Sequence, residues 1–129
     1  SELVIANRTF EKADILAQHF ASLGPIRAVK FSELHGSFDI VINSTSASLS
    51  GSIPAIPEQL VHSQLVVYDM MYGVADTPFN GWARQLGACK IIDGLGMLVE
   101  QAAAAFELWR GVRPPAAQVL AELQALLAR

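Results

Sequence analysis

Short apolar runs alternate with amphipathic stretches along the whole chain, and each run ends in a polar or glycine-containing turn. Leu3 to Ala6 is an apolar run with strand character. Thr9 to Leu23 brings Phe10, Ala13, Leu16, Ala17 and Phe20 onto one face of a helix, which Gly24-Pro25 ends. Ile26 to Phe31 is a weakly patterned second strand, followed by a turn of helix at Ser32-Glu33-Leu34. Phe38 to Asn43 predicts a buried strand that runs into the polar loop Ser44-Thr45-Ser46-Ala47-Ser48. A Pro-containing connection, Ile53 to Pro57, leads to a short helix near Glu58–Val61 and a strand at Leu65 to Asp69. Thr77-Pro78 starts a helix to Leu86 that closes at Gly87, with Pro at its favoured first position. Lys90-Ile91-Ile92 is a last short strand. Gly96 to Trp109 is a long apolar helix stopped by Gly111, and Pro114-Pro115 opens a final amphipathic helix carrying Val119, Leu120, Leu123, Leu126 and Leu127.

Strands that alternate with helices, without internal repeats, predict an α/β chain built on a mostly parallel sheet. In such folds the chemistry gathers where strands end. The first strand ends in Asn7-Arg8-Thr9, with Lys12 one turn into the helix. At the end of the second strand of a dinucleotide-binding fold, an acid accepts hydrogen bonds from a free ribose 2′-hydroxyl, whereas an Arg accommodates a 2′-phosphate. This strand end has no acid. It offers the fixed charge of Arg8, a hydroxyl at Thr9 that can cap the helix, and the helix N-terminus itself, which favours anions. The residues point to NADP rather than NAD. Solvated charges around an ordinary capped helix fit the same string, and the string alone leaves both readings open.

If Leu3 to Ala6 is the second strand of a doubly wound unit, a first strand, its Gly-rich phosphate loop and its helix belong ahead of it. No G-x-G-x-x-G precedes Asn7, and Gly94 and Gly96 lie far downstream in another context. The missing strand would sit centrally, and two buried edges would lack a partner without it. The expectation is therefore a Rossmann-like, doubly wound fold that is truncated, or part of a longer chain: one NADP-binding domain over residues 1–129, incomplete at its N-terminal side.

Length sets one domain with a real core, since the chain has 129 residues. Its composition, 52% hydrophobic and 16% charged, suits strands buried on both faces, or an apolar surface that something else covers. A net charge of −3 with no basic stripe argues against nucleic acid. The single cysteine, Cys89, excludes an internal disulfide and fits a reducing cytoplasm. No apolar run reaches the roughly 18–20 residues of a membrane span, and the first residues carry no signal-peptide charge pattern. His19, His35 and His62 have no partners at metal-binding spacing, so no metal site is expected. Asp69 ends a strand and reads as a loop hydrogen-bonding group rather than a general base. Cys89 reads as a small buried residue, and Trp82 and Trp109 as packing residues.

Six segments in order resemble one family. They are Asn7-Arg8-Thr9 with Lys12, Ile42-Asn43-Ser44-Thr45-Ser46, Pro54-Ala55-Ile56-Pro57, Tyr68-Asp69-Met70-Met71-Tyr72, Thr77-Pro78-Phe79, and Asp93-Gly94-Leu95-Gly96-Met97-Leu98-Val99-Glu100-Gln101-Ala102. Together they resemble the C-terminal, NADP-binding half of the shikimate dehydrogenases, from about Val4 to Gly111, and the last segment is the most specific. The resemblance implies a cytoplasmic enzyme of aromatic amino-acid biosynthesis that reversibly reduces 3-dehydroshikimate to shikimate with NADPH.

Carried over by position, the resemblance implies that Asn7, Arg8, Thr9 and Lys12 bind the adenosine 2′-phosphate. Lys12 stands where Arg is commoner, and it supplies charge without a planar two-pronged fork. Thr45 and Ser46 match the loop beside the nicotinamide ribose and diphosphate. Met70 and Gly94 match positions whose backbone meets the nicotinamide, where a Cβ on Gly94 would collide with the ring or push the backbone away. Gly96 fits a tight start to the helix. Met97 matches a side chain near the nicotinamide. Tyr72 and Gln101 match the substrate contacts of this half, with Gln101 one turn beyond Met97 on the same helix face. For Thr45 and Ser46 plain turn residues fit as well, for Met97 plain core, and for Gln101 a solvated polar residue. The acid–base Lys and Asp of the family belong to the preceding substrate domain, so no catalytic group is assigned here and the chain alone is expected not to turn over shikimate. Two other readings compete: an NAD-using quinate/shikimate dehydrogenase, which Arg8 disfavours, and a non-catalytic fragment that self-associates through unpaired strand edges.

Overall fold

The computed structural model describes residues 1–127, which form two compact units. Ser1–Phe38 with Ala55–Leu60 make the first, and Asp39–Pro54 with the chain from Val61 onward make the second. All paired strands are parallel, as the α/β pattern requires, and they fall into a two-stranded and a three-stranded sheet.

In the first unit, β1 (Leu3–Ala6) pairs with β2 (Ile26–Val29), Leu3 opposite Ile26 and Ala6 opposite Val29. The right-handed connection rule for such pairs needs a crossover, and α1 (Phe10–Phe20) supplies it, continued by a 3-10 turn at Ala21–Leu23. Ala13 and Ala17, four residues apart, are buried, as is Val29. Of the rest of the expected apolar face, Phe10 is half-buried, whereas Leu16 is 46% and Phe20 40% exposed. A sheet of two strands covers only the central stripe of a helix, and small alanines let that stripe come close. A second 3-10 turn, Phe31–Glu33, replaces the end of the expected longer strand.

In the second unit the strand order is β3 (Ile40–Asn43), β4 (Val66–Asp69), β5 (Lys90–Ile92). Asn43 lies opposite Asp69, and Tyr68 opposite Ile92. α2 (Pro78–Gln85) crosses from β4 to β5, capped by Thr77, whose hydroxyl accepts the Asn80 N–H at 3.2 Å. Gly87, at φ +86°, turns the chain out of this helix in the left-handed region that glycine reaches without strain. Leu65, Val67, Phe79, Ala83, Leu95, Val99 and Ala103 form the buried core. Each large side chain buried there contributes on the order of 1.5–3 kcal/mol. Trp82 stacks on Phe79 with ring centroids 5.5 Å apart, which is the packing role expected of it.

α3 (Leu95–Arg110) follows β5 and ends at Gly111, φ +69°, before α4 (Ala116–Leu127) folds back on it. Arg113 clamps the reversal by donating to Glu100 at 2.9 Å and Glu107 at 2.8 Å. Trp109 is 76% exposed and Cys89 is exposed, so neither is the buried packing residue that its type suggested. Trp109 sits in the last turn of α3, and Cys89 in the turn before β5. Among the described residues no helix is long and apolar enough to cross a membrane.

Candidate functional site

The first unit ends β1 in a charged corner. Asn7 folds its side chain back so that Oδ1 accepts the Thr9 N–H at 2.9 Å. Thr9 occupies the N-cap position of α1, but its hydroxyl makes no capping hydrogen bond. The expected cap is thus replaced by an Asn7 turn, in which the side chain satisfies the backbone two residues on. Arg8 and Lys12 are exposed, and among the described residues neither has an ion pair or side-chain hydrogen bond. By contrast, the cations Arg27, Lys30, Arg84 and Arg113 each face a carboxylate within 4 Å. Two free cations at the start of a helix, with no acid at the strand end, make a corner suited to an anion.

The carboxyl edge of the three-stranded sheet carries most of the other expected positions. Asn43 is 3% exposed, and its Oδ1 accepts from both the N–H (3.1 Å) and the hydroxyl (2.8 Å) of Thr45. Thr45 Oγ1 in turn accepts the Ala47 N–H at 3.2 Å. The Thr45 hydroxyl is therefore spent on shaping the loop, while Ser46 beside it is exposed. Across the strand pair stands Asp69, fully buried. Its Oδ1 accepts from Asn43 Nδ2 (3.2 Å) and the Met71 N–H (3.1 Å), and its Oδ2 from Ser48 Oγ (2.8 Å) and Thr77 Oγ1 (2.6 Å). A buried carboxylate is tolerated only when its lone pairs are filled, and here four donors fill them.

Beyond Asp69, Met70 is 39% and Tyr72 43% exposed. Gly94 is buried and donates its N–H to the Met71 carbonyl at 3.0 Å. Its φ of −78° is ordinary, so conformation does not demand glycine. Space does: a Cβ would overlap the Met70 carbonyl and stand 2.6 Å from its carbon. The close approach at Gly94 is to Met70 of the same chain. Gly96 differs, because a Cβ there would come no nearer than 4.0 Å to Leu120, so tight helix packing does not require it. Asp93 Oδ1 accepts the Leu95 N–H at 3.1 Å and holds the first turn of α3, from which Met97 (half-buried) and Gln101 (exposed) project one turn apart.

Thr45, Ser46, Met70, Tyr72, Gly94, Met97 and Gln101 thus belong to the second unit, and Asn7, Arg8, Thr9 and Lys12 to the first. Ser48 and Thr77 were not foreseen as parts of a site, and neither was the joint role of Asn43 and Asp69. The signal available was two apolar strands ending in polar residues, followed by a Thr-Pro helix start.

Residues 94–124 match the family described as the Shikimate 5'-dehydrogenase C-terminal domain. Over 124 residues the chain is 56% identical to a shikimate dehydrogenase (NADP(+)) of Aeromonas salmonicida, covering 96% of this chain and 45% of that protein. The chain is similar to the shikimate dehydrogenases over almost its whole length. It spans just under half the length of the curated relatives it matches. Among solved structures, an Ael1 enzyme from Pseudomonas putida superposes with a TM-score of 0.86 at 45% identity, over 95% of this chain and 45% of that one. A shikimate dehydrogenase from Thermus thermophilus, solved with NADP(H) and shikimate, superposes with a TM-score of 0.78 at 28% identity, over 98% and 46%. The shikimate dehydrogenase resemblance therefore extends from short motifs to almost the whole described chain.

Proposed function

We propose that this chain is the NADP-binding half of an enzyme that reversibly reduces 3-dehydroshikimate to shikimate with NADPH. The observation that carries the reading is the corner at Asn7-Arg8-Thr9: an unpaired Arg8, with Lys12 also unpaired, at a strand end that has no acid, the Glu11 carboxylate in the first turn of α1 making no ion pair with either. The chemistry of this donor set fits a ribose 2′-phosphate. Arg8 supplies a fork of N–H donors, Lys12 a point charge, and both are free to turn towards an anion. The same corner disfavours an NAD-using quinate/shikimate dehydrogenase.

At the second unit, Ser46, Met70, Gly94 and Met97 serve the nicotinamide end of the coenzyme. The Asn43-braced loop presents the Ser46 hydroxyl, while Thr45 keeps that loop in shape. Met70 and Met97 offer apolar, polarisable surface of the kind that suits a flat ring. Tyr72 and Gln101, both exposed, donate or accept hydrogen bonds to the hydroxyls of shikimate. When bound, the nicotinamide supplies the hydride; this chain binds and orients. Holding reactants in a near-attack geometry accounts for a large share of a barrier reduction, on the order of 7–11 kcal/mol in favourable cases. No acid–base group is assigned to these residues, so proton transfer to the carbonyl oxygen falls to the rest of the enzyme.

Reduction of NADP by shikimate, followed in the full-length protein, tests the reading. NADPH formation that is much faster than with NAD supports it. Turnover with NAD alone, or none with shikimate, overturns it.

A further inference from the structure

We propose that Asp69 is a positioning residue, whose buried carboxylate fixes the segments bearing Thr45, Met70 and Tyr72 in the geometry that the reaction needs; the inference rests on the functional reading above. Its four donors come from four places in the chain: Asn43 at the end of β3, Ser48 in the turn that follows, Met71 just past β4, and Thr77 at the cap of α2. Three of these donors also hold something else. Asn43 secures both polar groups of Thr45. The Met71 carbonyl receives the Gly94 N–H, and the Met70 carbonyl packs on Gly94. Thr77 receives the Asn80 N–H and so anchors α2. The carboxylate touches none of the exposed side chains assigned to ligand, yet it sets the backbone beneath Thr45, Met70 and Tyr72.

The donors are also directional. Met71 N–H can only donate, and the Asn43 amide is locked in its orientation because Thr45 occupies its oxygen. On the Oδ2 side, the two hydroxyls of Ser48 and Thr77 can reverse and accept. Asp69→Asn therefore has one arrangement that preserves the fold, with Oδ1 still accepting and the new amide donating to Ser48 and Thr77. The Ser48 and Thr77 oxygens already take the Asn43 amide and the Asn80 N–H, so both hydroxyl hydrogens lose their acceptor, and the Met71 N–H is left on a neutral oxygen in place of a charged one, which holds the Met70–Tyr72 segment less firmly. Ser48→Ala is the milder variant, removing one donor of the four.

The test is steady-state kinetics with thermal melting on full-length enzyme carrying Asp69→Asn or Ser48→Ala. A displacement near 1 Å at a reacting centre is worth about a hundredfold in rate. For Asp69→Asn the expected result is a fall in kcat of about ten- to a hundredfold with a raised KM for shikimate. Ser48→Ala moves the same quantities in the same direction by less. If wild-type enzyme fails to reduce NADP with shikimate, the functional reading is at fault. If wild type is active and both variants match it, the positioning role is overturned. It is equally overturned if a destabilised variant loses activity only in proportion to its unfolded fraction. Should Asp69→Asn not fold, the kcat and shikimate KM of Ser48→Ala decide alone: unchanged values overturn the role.

Discussion

Gly94 lies against the Met70 carbonyl so closely that no side chain fits between them: an added Cβ would stand 2.6 Å from the Met70 carbonyl carbon. The contact joins the start of α3 to the segment leaving β4, and the Gly94 N–H bond to Met71 reinforces it at 3.0 Å. Gly94→Ala must displace backbone, not a flexible side-chain end. Overpacking of this kind costs about 1–3 kcal/mol. Gly96→Ala, two residues on, meets only the Leu120 methyl at 4.0 Å and gains helix propensity, with an effect between zero and about 1 kcal/mol of stabilisation. Denaturant melts of the two variants should move in opposite directions; equal losses would show that the Met70 contact is not the constraint.

Tyr72 and Gln101 are exposed side chains, proposed above to contact substrate. In full-length enzyme, Tyr72→Phe and Gln101→Ala should each raise the KM for shikimate or lower kcat/KM by about tenfold, the worth of one hydrogen bond at about 1–1.5 kcal/mol. NADP affinity and melting temperature should hold. A loss confined to NADP binding would reassign both residues to the coenzyme.

Asp76 and Arg84 form a two-pronged pair, Nε to Oδ2 at 2.7 Å and Nη2 to Oδ1 at 3.1 Å. The hydrogen bond from Arg84 holds the Asp76 carboxyl below its usual range, against a smaller opposing push from burial. A carboxyl with a depressed folded pKa contributes stability above its unfolded value, near 3.9, and loses it as pH falls through the folded value. The pair is exposed, so that contribution is small. Arg84→Ala should return Asp76 to the ordinary carboxylate range in an NMR titration. An unmoved Asp76 would mean that the guanidinium does not set it.

Much of this architecture was legible in the sequence because a buried parallel strand must be apolar and must end abruptly. Leu3–Ala6, Ile40–Asn43 and Val66–Asp69 each stop at or just before a polar residue, and the strand-to-helix alternation follows from there. Arg8 was legible for the same reason. The Asp69 network was not, since its partners lie 26 and 21 residues before it and 8 after, and only the strand register brings Asn43 opposite Asp69. Residue type alone misjudged Trp109 and Cys89. Whether such residues are covered depends on what packs beside them, and periodicity does not encode that. At Thr9 the competing turn at Asn7 took the backbone hydrogen bond and left the hydroxyl out of the cap.

The 129-residue chain alone is expected to show no shikimate-dependent NADP reduction, because no proton-transfer group is assigned to it. Steady NADPH formation by the purified chain would contradict that division of labour.

Titration calorimetry of NADP and NAD into full-length protein, wild type and Arg8→Ala, tests the central claim most directly. Losing a charge-assisted contact to the 2′-phosphate is worth about 1.5–3 kcal/mol, roughly ten- to a hundredfold in affinity. Arg8→Ala should weaken NADP by that factor and leave NAD nearly unchanged, bringing the two affinities together. An equal loss for both coenzymes, or none for either, would contradict the account.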